Sequence, residues 1–205
     1  IFHSLYGRRV NDVLSRAVAY AISRLQHRDV EIGVSDNGFF IASKKNIQAL
    51  RAFELLKPEE LEAITNLAIK KTEVLNRRFR HCATRALMIL RQYKGYHKRV
   101  GRQQVSSMIL LNAVRRISED FPILKEAKRE VLYDLMDLEN AKDILQKIKD
   151  KIIKVEHLTH TIPSPFAFNL VTQGRTDIMK MEDKIEFLKR MHKMVLAKIG
   201  KNSII

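Results

Sequence analysis

The sequence predicts an α+β fold that is predominantly helical, with a small strand-helix-hairpin piece leading into a multi-helix bundle. Three observations predict it. Apolar residues recur at steps of three and four over most of the chain, the spacing of one buried helix stripe. The clearest alternating runs lie before Ser43 and are split by a turn signal. The composition, 45% hydrophobic and 30% charged with 7 Gly and 4 Pro, is that of a compact helix-rich chain and excludes a disordered tail. The 205 residues suffice for one domain with a real core or two small ones, and exclude anything motor-sized.

Ile1 to Tyr6 alternates weakly and reads as a strand ended by Gly7. The chain opens in mid-pattern without an initiator Met, so it is expected to be a fragment of a larger protein, and this strand the last of a sheet whose partners lie upstream. From Arg8, the residues Val10, Val13, Leu14, Ala17, Val18, Ala21, Ile22 and Leu25 mark a helix, with Asp12 and Arg16 paired four apart. Val30 to Val34 and Phe39 to Ala42 form a hairpin around Ser35-Asp36-Asn37-Gly38, whose Asn-Gly supplies the positive φ a tight turn requires. After Lys57 only helices are expected for nearly a hundred residues. Pro58, Glu59 and Glu60 suit the first turn of one carrying Leu61, Ile64, Leu67 and Ala68.

Further helices are expected from about Glu73 to Tyr93, from about Gln103 to Glu119 after the Lys94-Gly95-Tyr96-His97 interruption, and from Pro122 to Met136. Leu138, Ala141, Leu145, Ile148 and Ile152 mark the next, which slides into a β-like run to Val155. Ser164-Pro165 reads as N-cap and first-turn proline of a helix about nine residues long, with Gly174 past its end. Thr176 suits the cap of the last helix, Ile178, Met181, Ile185, Leu188, Met191, Val195 and Ile199 its buried face, and Gly200 its stop. The expected division is a 1–55 strand-helix-hairpin subdomain and a 56–205 helical bundle sharing one core.

The net charge of +15 points to a polyanionic partner, nucleic acid ahead of an anionic membrane surface. Residues 70–102 hold 11 Lys and Arg against a single acid, Glu73, so two thirds of the excess charge sits in 33 residues. On a helical wheel Phe79, Cys82, Ala83, Ala86, Leu87, Ile89 and Leu90 fall on one arc, and Arg77, Arg78, Arg80, His81, Arg85 and Arg91 on the other. With only Glu73 as a nearby counter-ion, that face repels itself and phosphates would relieve it. Lys94, Lys98, Arg99 and Arg102 continue the charge, with Tyr93 and Tyr96 set among them to stack on bases. The plain alternative is a solvated helix face.

Other chemistry is missing or weak. No G-x-x-x-x-G-K-[ST] occurs, so this fragment is expected to be neither an ATPase nor any other enzyme and to hold no cofactor. His157 and His160 lack a third metal ligand at suitable spacing, which makes them a surface pair. Cys82 lies on the apolar arc as a core residue. Asp137 suits an N-cap, and with Asp134 it is the best nominee for a catalytic acid if one exists. The longest apolar stretch, Ala17 to Leu25, is broken by Ser23 and Arg24, so no membrane is expected and a cytoplasmic location fits the single cysteine.

The run from Arg77 to Arg91, followed by Tyr93-Lys94-Gly95, resembles the DEAD/H-associated region of Lhr-type superfamily 2 helicases. Gly7-Arg8-Arg9-Val10-Asn11, Asp36-Asn37-Gly38-Phe39, Gly101-Arg102-Gln103-Gln104, Arg129-Glu130-Val131-Leu132 with Met136-Asp137, and Pro163-Ser164-Pro165-Phe166-Ala167 occur in the order that family shows. The resemblance covers nearly the whole chain. It implies an accessory region behind two RecA-like motor domains and a winged helix, holding the DNA strand along which an ATP- and magnesium-dependent motor moves 3′ to 5′. The implied partners are single-stranded DNA or a duplex junction, RNA as an alternative, and the motor domains of the same chain. Two other readings stay open: a glycosylase-like domain acting on a flipped base, and a docking module for the motor. The helices from Pro122 to about Ile148 and the extended segment after them would suit a winged-helix-like unit.

Overall fold

The strand at the start of the chain finds its partner inside the chain. A computed structural model describes residues 1–97, 99–159, 163–173 and 184–202. In it β1 (Phe2–His3) pairs antiparallel with β3 (Gly38–Ala42), which pairs in turn with β2 (Glu31–Ser35), giving the sheet order β1-β3-β2. The upstream partners expected for this strand are not what it pairs with here. Phe2 stacks on Phe39 with ring centroids 4.5 Å apart, and the exposed start of the chain is thereby fixed to the core.

The hairpin forms as the sequence predicts, with a different turn. Ser35 is opposite Gly38, so the two turn residues are Asp36 and Asn37, and neither has positive φ. Gly38, at φ 150°, is required for another reason: a Cβ there would sit 2.1 Å from the Phe2 carbonyl oxygen of the strand crossing beside it. Helix α1 (Arg8–Gln26) buries Val10, Val13, Leu14, Ala17, Val18 and Ile22 of the expected stripe against the sheet and neighbouring helices, with Ala21 partly buried and Leu25, in the last turn, exposed. Asn11 on the same helix donates to the carbonyls of Ser4 (2.9 Å), Ser35 (2.9 Å) and Asp36 (3.2 Å), tying strand, hairpin and helix together.

Helices α2 (Ala49–Glu54) and α3 (Leu61–Ile69) follow, with Pro58, Glu59 and Glu60 forming the turn into α3 and not its first helical turn. Next come α4 (Glu73–Arg85), a two-stranded ribbon of β4 (Gln92–Tyr93) and β5 (Tyr96–His97), α5 (Val100–Ile117) and α6 (Pro122–Arg129). A π-helical segment, Glu130–Leu135, extends α6 and precedes α7 (Leu138–Lys149). Pro165–Ala167 makes a 3-10 turn that runs into α8 (Phe168–Gln173), together the nine residues expected. One contiguous core reaches from Val10 on α1 to Leu145 on α7.

Three expectations fail for a shared reason, the way helices stop. The helix expected to reach Tyr93 ends at Arg85, because Leu87 takes a left-handed φ of 57° and Met88 donates its N–H to the Ala83 carbonyl at 2.9 Å while Leu87 donates to Thr84 at 3.1 Å. That paired reversal satisfies the last carbonyls and turns Ile89 back into the core. The uninterrupted helical stretch is broken as a consequence by the β4-β5 ribbon. Helix α7 ends the same way: Lys151 has φ 62°, Ile152 donates to Lys147 at 2.9 Å, and Ile153 packs on the core, so the β-like run to Val155 forms no strand. The helix pair α6-α7 is present, and no wing strand follows it among the described residues.

The last helix, α9 (Lys184–Asn202), runs through Gly200, whose missing Cβ lowers helix propensity without forbidding it. Of its expected face, Met191 is buried, while Ile185 and Ile199 are exposed. Gly174, Thr176, Ile178 and Met181 lie outside the described residues. Among those described, no helix is long and apolar enough to cross a membrane.

Candidate nucleic-acid interface

Helix α4 is built from two faces. Leu75, Phe79, Cys82 and Ala83 recur at intervals of four, three and one and are all buried, holding the helix against α5, α6 and the π-helical segment. Glu73 in its first turn and Arg85 in its last complement the helix dipole. Arg77, Arg78, Arg80 and His81 occupy the outer positions between them, with Asn76 and Thr84 as the neutral polar residues. Arg77 reaches back one turn to Glu73 at 3.4 Å, with both side chains mostly in solvent. Arg80 is half-buried, and His81 and Arg91 are exposed; none of these three makes an ion pair to a carboxylate among the described residues.

Glu73 is not the only counter-ion. Glu130, from the first position of the π-helical segment, has a side chain only 5% exposed, and its two oxygens take Arg78 (3.4 Å) and Arg85. Arg85 also donates to the Cys82 Sγ at 3.3 Å. Burial pushes the Glu130 carboxyl upward, but the hydrogen bond from Arg85 and the charges of Arg85 and Arg78 outweigh it and hold the group below the usual carboxylate range. Cys82 is pushed the other way, first by burial and then by the Glu130 charge, and stays a thiol in the core. His81 is lowered by partial desolvation and by the guanidiniums of Arg80, Arg78, Arg91 and Arg85, so it is neutral near pH 7. Sequence reasoning missed Glu130 because 45 residues separate it from Arg85, and no local spacing reveals such a pair.

Beyond Arg85 the basic residues leave the helix. Lys94 (φ 50°) and Gly95 (φ 80°) form the two-residue turn of the β4-β5 ribbon, the mirror-image turn in which both residues need positive φ. Tyr93 and Tyr96 are backbone partners in register on its two strands, and the Tyr96 side chain is 81% exposed. Arg99 stands at the N-cap of α5 and Arg102 in its first turn, both exposed, at a helix end that has no acid in its first turn. Two cations at the positive pole of a helix dipole suit an anion bound between them. Lys98 lies outside the described residues.

The other nominees have plain structural roles. Asp137 caps α7, accepting from the Asn140 N–H at 3.2 Å, and Asp134 sits in solvent against Arg129 at 3.4 Å. Neither lines the cavity of about 230 Å³ found between the hairpin and α8, which Asp36, Asn37, Phe166 and Asn169 help to form. His157 lies in an extended exposed segment, and His160 is outside the described residues. No metal-holding group of His, Cys, Asp and Glu occurs among the described residues. In Gly7-Arg8-Arg9-Val10-Asn11, Arg9 donates to the carbonyls of Tyr133 (2.8 Å) and Met136 (3.0 Å), closing the end of the π-helical segment, so this motif holds the scaffold.

Residues 1–167 match the DEAD/H associated family. The chain belongs to that family. It is 54% identical over 199 residues to the ATP-dependent helicase Lhr-Core of Methanothermobacter thermautotrophicus, covering 97% of this chain and 23% of the relative. It is 31% identical over 185 residues to the Lhr helicase/uracil glycosylase of Escherichia coli, covering 89% of this chain and 12% of that protein. Among solved structures, the Mycobacterium smegmatis helicase Lhr bound to ssDNA and AMP-PNP superposes with a TM-score of 0.71 at 30% identity, over 82% of this chain and 21% of that one. This DEAD/H-associated chain thus spans less than a quarter of the length of these relatives, and the Lhr resemblance seen in its motifs holds along nearly all of it.

Proposed function

We propose that this chain is the nucleic-acid-binding accessory region of an Lhr-type ATP-dependent 3′–5′ helicase, and that it tracks the backbone of single-stranded DNA with Arg77, Arg78, Arg80, Arg85, Arg91, Lys94, Lys98, Arg99 and Arg102. His81 lies among these charges, and Tyr93 and Tyr96 stack on bases beside them. One observation carries the reading: α4 buries Leu75, Phe79, Cys82 and Ala83 while its other side carries arginines that outnumber their carboxylate partners, and the same charge continues through the ribbon to the start of α5. Folding alone does not favour such a surface, and phosphates neutralise it. The bound ssDNA of the mycobacterial relative supports DNA as the partner. ATP and magnesium then belong to motor domains elsewhere in the longer protein, and this region acts by holding the strand.

Anisotropy of a labelled single-stranded oligonucleotide at several salt concentrations tests this. Arg80→Ala and Arg91→Ala should each weaken binding about equally across sequences and flatten the log-log salt slope by roughly 0.7. Unchanged affinity and slope in the double variant would refute the assignment of this face.

A further inference from the structure

Arg78 and Arg85 are seven residues apart, two turns of α4 and about 10.5 Å along its axis, yet both guanidiniums converge on Glu130. The carboxylate comes from a different element, the first position of a π-helical segment, a local insertion found frequently at functional sites. It is buried; the two arginines are 30% and 61% exposed. Each guanidinium has five N–H donors, and the carboxylate takes only some of them. The Cys82 sulfur holds the Arg85 fork from the helix side. Two cations thus share one anion placed behind them, and the cluster keeps a net positive charge whose open side faces solvent.

We propose that Glu130 is a positioning residue that converts Arg78 and Arg85 into a preset two-arginine seat for a single backbone phosphate of the bound strand. The seat rests on the DNA-binding reading above and specifies its geometry. A free arginine loses much side-chain freedom when it grips a phosphate, and one already pinned from behind loses less. The planar fork matters because it donates two parallel hydrogen bonds to phosphate, which a lysine ammonium does not.

The test exploits a difference in sign. Glu130→Gln keeps the size of the side chain and removes a negative charge from the binding face, so if the arginines act only as point charges DNA affinity rises and the salt slope steepens. If Glu130 presets them, affinity for labelled oligo-dT falls about two- to tenfold. Glu126→Gln is the control: this exposed acid lies near Arg85 but binds Arg129, and its loss should leave affinity equal or higher. Arg85→Lys keeps both the charge and the exposed position and should still weaken binding. Thermal melting accompanies each variant, and if Glu130→Gln does not fold, Arg85→Lys decides alone. Equal or tighter binding by Glu130→Gln and Arg85→Lys, with Arg80→Ala still weakened, overturns the seat and leaves the wider reading standing. No loss in the double variant of Arg80→Ala with Arg91→Ala overturns that reading itself.

Discussion

The carbonyl oxygen of Phe2 lies 2.1 Å from where a Cβ on Gly38 would stand. β1 and β3 are in register there, His3 opposite Gly38, and the hydrogen-bonded approach of the two backbones leaves no volume for a side chain. Gly38→Val must displace β1 and also strain a φ of 150°. It should destabilise the protein by about 3 kcal/mol, from overpacking and dihedral strain together. Lys44→Ala, at an exposed position, should stay within about 0.5 kcal/mol of wild type. Urea unfolding of both variants checks this, and equal midpoints would count against the strand pairing.

Asn11 gives a second test of the same junction. Its side-chain amide serves three carbonyls from two separate segments, and the residue is fully buried. Asn11→Ala leaves those acceptors without their donor and should cost about 2 kcal/mol. Asn11→Asp should cost more, since it aims a carboxylate at the same three oxygens. Chemical denaturation ranks them; an Asp variant as stable as the Ala variant would show that the amide is not the donor.

How much of this was legible beforehand depends on range. Most of the stripes of α1 and α7, the Asp12–Arg16 pair at 2.8 Å and the Asp137 cap follow from spacings of four or fewer residues, and the structure contains them; Leu25 and Ile152, the last residue of each stripe, are exposed where the helices end. Asn37-Gly38 predicts a two-residue turn of positive φ, and the structure has that turn at Lys94-Gly95, because a two-residue turn is chosen by strand register, which the sequence does not display. Two helix ends carry no glycine signal, because a leucine and a lysine occupy the left-handed position at Leu87 and Lys151. The arginine face was visible on a wheel; that Glu130 holds two of its members required the tertiary packing of α4 on the π-helical segment.

The left-handed leucine makes a prediction of opposite sign to most. Leu87 is 74% exposed and contributes little core, yet its Cβ pays a dihedral penalty at φ 57°. Leu87→Gly removes that penalty and increases the freedom of the unfolded chain, leaving a net stabilisation of about 0.5–1 kcal/mol. A rise in the melting temperature would bear this out. A fall would mean that the side chain makes a contact worth more than the strain.

The pH dependence of binding tests whether phosphate reaches the centre of the cluster. His81 is held below its ordinary value of 6.5 by desolvation and by Arg80, Arg78, Arg91 and Arg85, so the free protein resists its protonation. In the unfolded chain the histidine binds its proton more readily, and the shift therefore takes stability away as the pH falls below about 6.5. A phosphate beside it acts in the reverse sense, offsetting the guanidinium repulsion and raising the histidine pKa in the complex. The complex then binds more protons than the free protein, and DNA affinity must increase as the pH drops through that range. Dissociation constants for labelled oligo-dT at about pH 5.5 and about pH 7.5, for wild type and His81→Gln, isolate this group from other histidines such as His97. Wild type should gain more affinity on acidification than the variant. An identical gain in both would place the phosphate path away from His81, and with it away from the middle of α4.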